Sequence, residues 1–154
     1  MVKARGDNHT LDLLGWEPPS VVERYDEVRV RASSLRSRIA KGVAQTLKEC
    51  GMPREQIADR MSAWLGEGEA VSKNMLDAYA SEAREEQTIS LLRLAALVHV
   101  TGDVRLLQLI AEMFGHSVID DKYVAWVEIG QLADTRNEID RALDAAKRNA
   151  RRRG

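Results

Sequence analysis

The sequence is short of cysteine, aromatic residues and net charge, and each shortage excludes something. A single cysteine, Cys50, leaves no partner for an internal disulfide. Aromatic residues make up only 5% of the chain while Ala, Leu, Arg and Glu are plentiful, which disfavours a β-sandwich or barrel and favours helices. Neither a signal-peptide core nor an apolar run of about 18 residues is present, so the expectation is a cytoplasmic protein with no membrane partner. A formal net charge of -1 denies the chain a global positive field, and any role with nucleic acid must rest on local charge.

What is present is a chain of 154 residues, 44% apolar, enough for one domain with extensions. Its charge is unevenly spread. Residues 33–66 hold six Lys or Arg against three acids, a net +3; residues 67–88 hold two against six, a net −4; residues 135–154 hold seven against three, a net +4. The last stretch ends "AAKRNARRRG".

Residues 1–32 read as an arm. Pro18 and Pro19 forbid a helix through that point and push Glu17 towards an extended conformation. Leu11, Leu13, Leu14 and Trp16 are too apolar for a linker, so the arm is expected to dock on its own body or on a second subunit.

From Ser33 the pattern becomes helical. Leu35, Ile39, Val43 and Leu47 recur every four residues, Ser33 or Ser34 can cap the start and Gly51 supplies the stop. Pro53 opens a second helix with Ile57, Ala58, Met61, Trp64 and Leu65 on one stripe, ending at Gly66. After "GEGEAV", Ser72 caps a short third helix whose inward residues are Met75, Leu76, Tyr79 and Ala80. Thr88 or Ser90 then starts "ISLLRLAALVHV", apolar nearly all round and so expected to be central and buried; Asp103 can cap the next helix, which closes at Gly115.

A last helix is expected from about 121 to 152. Within it Ala125, Ile129, Leu132, Arg136, Ile139, Leu143 and Ala146 alternate at spacings of 4 and 3, the a/d rhythm of a coiled coil. Ile129, Leu132, Ile139 and Leu143 would form a dimer seam, although a helix folded back on its own domain has the same period.

The expected fold is therefore all-α: a five-helix, repressor-like helix-turn-helix bundle over 33–115, preceded by the arm at 1–32 and followed at 116–154 by a long helix with a basic tail. In such a motif the second helix braces against the DNA backbone and the third enters the major groove with its first residues forward. Ser72, Lys73, Asn74 and Asp77 become the base-reading candidates, since Asn can read adenine bidentately and Lys guanine or phosphate. Arg36, Arg38, Lys41, Arg54 and Arg60 are the phosphate candidates, with Arg151, Arg152 and Arg153 in the tail. The motif is enlarged: Ala58 and Leu76 lie 18 positions apart, against about ten in the compact form.

The run "IADRMSAWLGEGEAVSKNMLDAYASEAREEQTISLLRLAALVHVTGD", preceded by "LLGWEPP" and followed by the charged tail, resembles the small proteins encoded in the early regions of Mu-like transposable phages and prophages, often labelled DNA transposition protein. The segment from "ISLLRLAALVHVTGD" to "LIAEMFG" is also similar to the helical half of phage CII-type regulatory proteins. These resemblances imply a phage DNA-binding or transposition-associated protein and identify no catalytic residue.

No catalytic or metal chemistry is expected from the residues themselves. His9, His99 and His116 are scattered, and Cys50 has no Cys or His at ligand spacing. His99 is expected to be a core histidine bonded to backbone, Trp64 and Trp126 to be core or interface residues, and Asp120 with Asp121 to cap the last helix. "GEGE" lacks the Lys-Ser/Thr ending of a phosphate loop. The expectation is a non-enzymatic protein without cofactor or metal, whose partners are double-stranded DNA, a second copy of itself and phage transposition proteins. It would act in transcription regulation or in assembling transposition complexes. The alternative is a helical adaptor that binds a phage or host replication or transposition factor.

Overall fold

The computed structural model describes residues 20–84 and 86–153; Leu11, Leu13, Leu14 and Trp16 of the expected arm lie outside them. Among the described residues there are seven α-helices and no strand: α1 (Glu27–Val30), α2 (Leu35–Glu49), α3 (Arg54–Leu65), α4 (Lys73–Tyr79), α5 (Leu91–Thr101), α6 (Arg105–Ala111) and α7 (Val124–Arg153). Five of them fall between 33 and 115. Three start where a serine leaves the extended region and its Oγ accepts from the backbone of the first turn: Ser34 from Ser37 N, Ser72 from Met75 N and Ser90 from Arg93 N.

The core lies where α3 packs on α5 and α4, and α2 on α6 and α1. Val43, Ile57, Met61, Leu76, Leu97 and Leu106 are fully enclosed. The face of α2 that meets them is Ala40, Val43, Thr46 and Leu47, whereas Leu35 stands exposed. Steps of four residues advance 400°, so a strict four-spaced row drifts about 40° per step and carries its first member out of the core. Gly42 sits on the buried side because a Cβ there would lie 3.1 Å from Leu106 Cδ2 and 3.4 Å from the Tyr25 ring. Tyr25 and Val30 belong to the core although they precede residue 33.

The expectations for His99, for the burial of α5 and for the cap of the last helix need correction. Trp64 is 48% exposed, and His99, expected inside, is also exposed and stacks on Trp64 with ring centroids 4.9 Å apart. The pair runs along the outside of the α3–α5 contact, because α5 buries only Leu94, Ala96 and Leu97 and leaves Leu91 and Leu92 exposed. At the start of α6 Val104 already has helical backbone, and Asp103 Oδ1 accepts from Arg105 N at 3.1 Å, the capping contact expected of it. The last helix starts at Val124, after a 3-10 turn at Asp121–Tyr123, and neither Asp120 nor Asp121 gives it a side-chain cap at its first turn.

A buried hydrogen-bond chain ties the segments together. Tyr25 Oη meets Thr46 Oγ1 at 2.5 Å, and Thr46 Oγ1 donates to Asp103 Oδ2 at 2.6 Å. Because the Thr46 hydrogen goes to the carboxylate, the phenol must be the donor in the first bond. Asp103 accepts Arg105 Nε and Nη2 at 2.8 and 2.7 Å. Arg105 then reaches Glu49 at 2.8 Å and lies over the Tyr25 ring at 4.5 Å. Burial raises the affinity of Asp103 for its proton, but the bonds from Arg105 and Thr46 outweigh it and hold the carboxyl below its ordinary range. Burial likewise pushes the Tyr25 phenol well up. Gln108, 1% exposed, performs a similar junction: its Nε2 donates to Glu112 at 2.9 Å and its Oε1 accepts from Val118 N at 2.7 Å, which pins the connector after α6.

Stability should respond to this chain in two measurable ways. Thr46→Val leaves both the Tyr25 hydroxyl and one Asp103 oxygen short of a partner and is expected to cost about 1–3 kcal/mol, more than the ~0.5–1.5 kcal/mol of Tyr25→Phe, which removes a donor but keeps Thr46 bonded. Equal costs in urea unfolding would contradict the chain. The depressed Asp103 supplies stability that is fully present above about pH 4, the ordinary carboxylate value, and is lost as pH falls through its folded value. Asp103→Asn is therefore expected to flatten the acid limb of a thermal-midpoint-versus-pH curve; an unchanged limb would assign acid sensitivity to other groups.

Candidate nucleic-acid interface

The 18-residue separation of Ala58 and Leu76 is absorbed by an ordered loop. α3 stops at Gly66, whose φ of +87° suits glycine, and Gly68 comes next at +90°. Ser62 then draws the chain back: its Oγ accepts from Val71 N at 2.8 Å and lies 2.9 Å from Ala58 O and 3.2 Å from Val71 O. Val71 is buried as a result. α4 starts at the next cap, held down by Leu76, Ala78 and Tyr79, with Arg93 Nη1 donating to Tyr79 Oη at 2.7 Å.

This anchoring leaves Ser72, Lys73 and Asn74 exposed together on the first turn of α4. Asp77 differs. It is half-buried and forms an ion pair with Arg54 at the start of α3. Lys73 Nζ also meets α3, at Glu55 Oε1, 2.9 Å away. That bond lowers the Glu55 carboxyl and raises the Lys73 ammonium from their ordinary values. Arg54, Glu55, Lys73 and Asp77 thus sum to zero, so the turn offers hydrogen-bonding groups on a charge-balanced surface. Sequence spacing alone does not signal these pairs, since their partners are 18 and 23 residues apart.

The other phosphate candidates on the bundle each make a contact within the chain. Arg38 Nη2 lies 3.6 Å from Glu112, which also binds Arg24 at 2.7 Å. The Gln108 bond, then these arginines, keep the Glu112 carboxyl low. Lys41 donates to Arg31 O at 2.6 Å and lies 3.7 Å from Glu82; Arg36 donates to Arg84 O at 3.4 Å; Arg60 approaches Met52 Sδ at 3.6 Å. Arg151, Arg152 and Arg153 are all exposed on the last turn of α7. With Lys147 and Arg148 they form a run of five cations that no acidic residue interrupts after Asp144.

No family model, curated protein or solved structure matches the chain. The reading of this surface therefore rests on its own geometry. Among the described residues no group of three or more His, Cys, Asp or Glu is placed to hold a metal, and no helix is long and apolar enough to cross a membrane.

The Lys73–Glu55 pair makes a direct test. Glu55→Gln releases the ammonium and removes one negative charge beside the exposed turn. Duplex affinity at low salt is expected to rise, and the salt slope to steepen by about one counterion, in fluorescence anisotropy. An affinity that does not change would take Lys73 out of phosphate contact.

Proposed function

We propose that this chain is a non-enzymatic DNA-binding protein that reads a duplex with the first turn of α4 and holds phosphate with the basic end of α7. The observation that carries the reading is the exposed trio Ser72, Lys73 and Asn74, projecting from a short helix whose opposite face is buried at Leu76 and Tyr79. A groove reader needs that combination of rigid support and unburied hydrogen-bonding side chains. Asn74 is the base-reading residue, Ser72 and Lys73 flank it, and Asp77 orients Arg54 rather than meeting a base. The resemblance to proteins of Mu-like phages favours a role in transcription control or in assembling transposition complexes, with two copies joined through α7.

A second reading has its own support. The charge balance around α4, together with the exposed apolar residues of α7, suits a helical adaptor that binds a phage or host replication or transposition protein. Salt separates the two. Binding through several phosphates falls steeply between about 50 and 200 mM salt, whereas an apolar helix interface responds little.

Selection of the purified protein against a random duplex library is expected to enrich one site, bound with a steep salt slope. No enrichment and weak binding at every salt would reject the DNA reading. At the enriched site Asn74→Ala is expected to cost about 1–3 kcal/mol while leaving random duplex nearly unaffected. Joint replacement of Arg151, Arg152 and Arg153 by Ala should weaken both alike and reduce the log–log salt slope by roughly 2–3.

A further inference from the structure

α7 is 30 residues long and buries none of them, yet one stripe of it is apolar. Trp126 is 69% exposed, Leu132 70% and Ile139 62%, with Ile129 and Leu143 about half exposed. A helix of about 45 Å carrying such a stripe has a face built for another helix. The heptad rhythm assigns Ile129, Arg136, Leu143 and Ala150 to a, and Ala125, Leu132, Ile139 and Ala146 to d.

We infer that this face is covered by α7 of a second copy, packed antiparallel. The inference rests on the self-association proposed for α7 and fixes its direction.

Charge decides between the two directions. Residues 120–139 carry five acids and two cations, whereas 140–153 carry two acids and six cations, so the helix is negative at its start and positive at its end. Parallel pairing sets the two positive ends side by side. It also sets Arg136 against the partner's Arg136 in one core layer, because in parallel coils a position a faces its own copy. Antiparallel pairing lays each positive end beside the partner's negative beginning, and a faces d. With the two-fold axis near residues 137 and 138, Leu132 meets the partner's Leu143, Ile129 meets the partner's Ala146, and Arg136 meets the partner's Ile139. Arg136 also keeps Asp140 on its own helix, 3.9 Å away.

The arrangement places the two bundles at opposite ends of the helix pair, with their attachment points at Val124 about 40 Å apart. That is close to one turn of DNA, about 34–36 Å. It also carries the terminal arginines of each copy back to the start of the other copy's α7, where that copy's bundle is attached.

Pulsed electron spin resonance on the full-length chain, without DNA, tests the direction. In a Cys50→Ser background, one label is placed at Asn137→Cys and, in a second protein, at Arg151→Cys. The expected result is a short distance, under about 25 Å, at 137 and a long one, about 40 Å, at 151. Short distances at both sites would overturn the antiparallel arrangement while leaving self-association intact. No distance at either site, with a monomer in sedimentation up to about 100 times the labelling concentration, would overturn the pairing altogether. Either failure leaves duplex selection by the unlabelled protein as a separate measurement, so loss of the pairing and loss of the DNA reading are told apart.

Discussion

The bond from Thr46 to Asp103 is the constraint on which the bundle depends. Thr46 has one hydrogen and gives it to the carboxylate, so its lone pairs are left for Tyr25, and a residue before α2 becomes tied to the turn between α5 and α6. Arg105 finishes the arrangement by neutralising Asp103 and covering the Tyr25 ring. A buried polar chain of this kind is costly when a single partner is missing, which makes it a device for specifying one packing rather than a large source of net stability. Gly42 belongs to the same junction, since the Tyr25 ring and Leu106 occupy the space a side chain would need.

With α2, α5 and α6 fixed, the α3–α4 segment can present a polar turn without losing its support. Ser62 closes the long loop through Val71, and Leu76 and Tyr79 anchor α4 behind its exposed first turn. Electrostatics divides the labour. Most of the candidate cations on the bundle are engaged with Asp77, Glu55, Glu82, Glu112 or backbone carbonyls, so under the DNA-binding proposal most of the salt-dependent attraction would fall to the basic end of α7. A DNA reader built this way would have weak affinity for random duplex from its bundle alone, and would draw its discrimination from hydrogen bonds at the turn.

The local features were legible in the sequence. Ser34, Ser72 and Ser90 cap helices because a small hydroxyl before an apolar rhythm has few other uses, and Gly51, Gly66 and Gly102 take the positive φ that ends them. The inward face of α4 and the unbroken length of α7 were also evident from spacing. Periodicity gives which residues share a face, not how far around the helix the neighbour sits. That is why Leu35, Trp64 and His99 stand outside although their rows look apolar, and why Tyr25 and Val30, beyond a pair of prolines, are inside. The pairings Arg54–Asp77, Lys73–Glu55 and Tyr25–Thr46 link residues from 18 to 23 positions apart, a separation at which no local rule applies.

The central claim is that two distant stretches of one chain, the start of α4 and the end of α7, meet the same duplex while the buried chain at Thr46 stays closed. Amide NMR shift mapping during titration with a short duplex of the bound sequence measures this directly. The account predicts perturbation at residues 72–74 and 147–153, with Thr46 and Asp103 unmoved. Perturbation confined to α7, or spread through the core around Thr46, would contradict it.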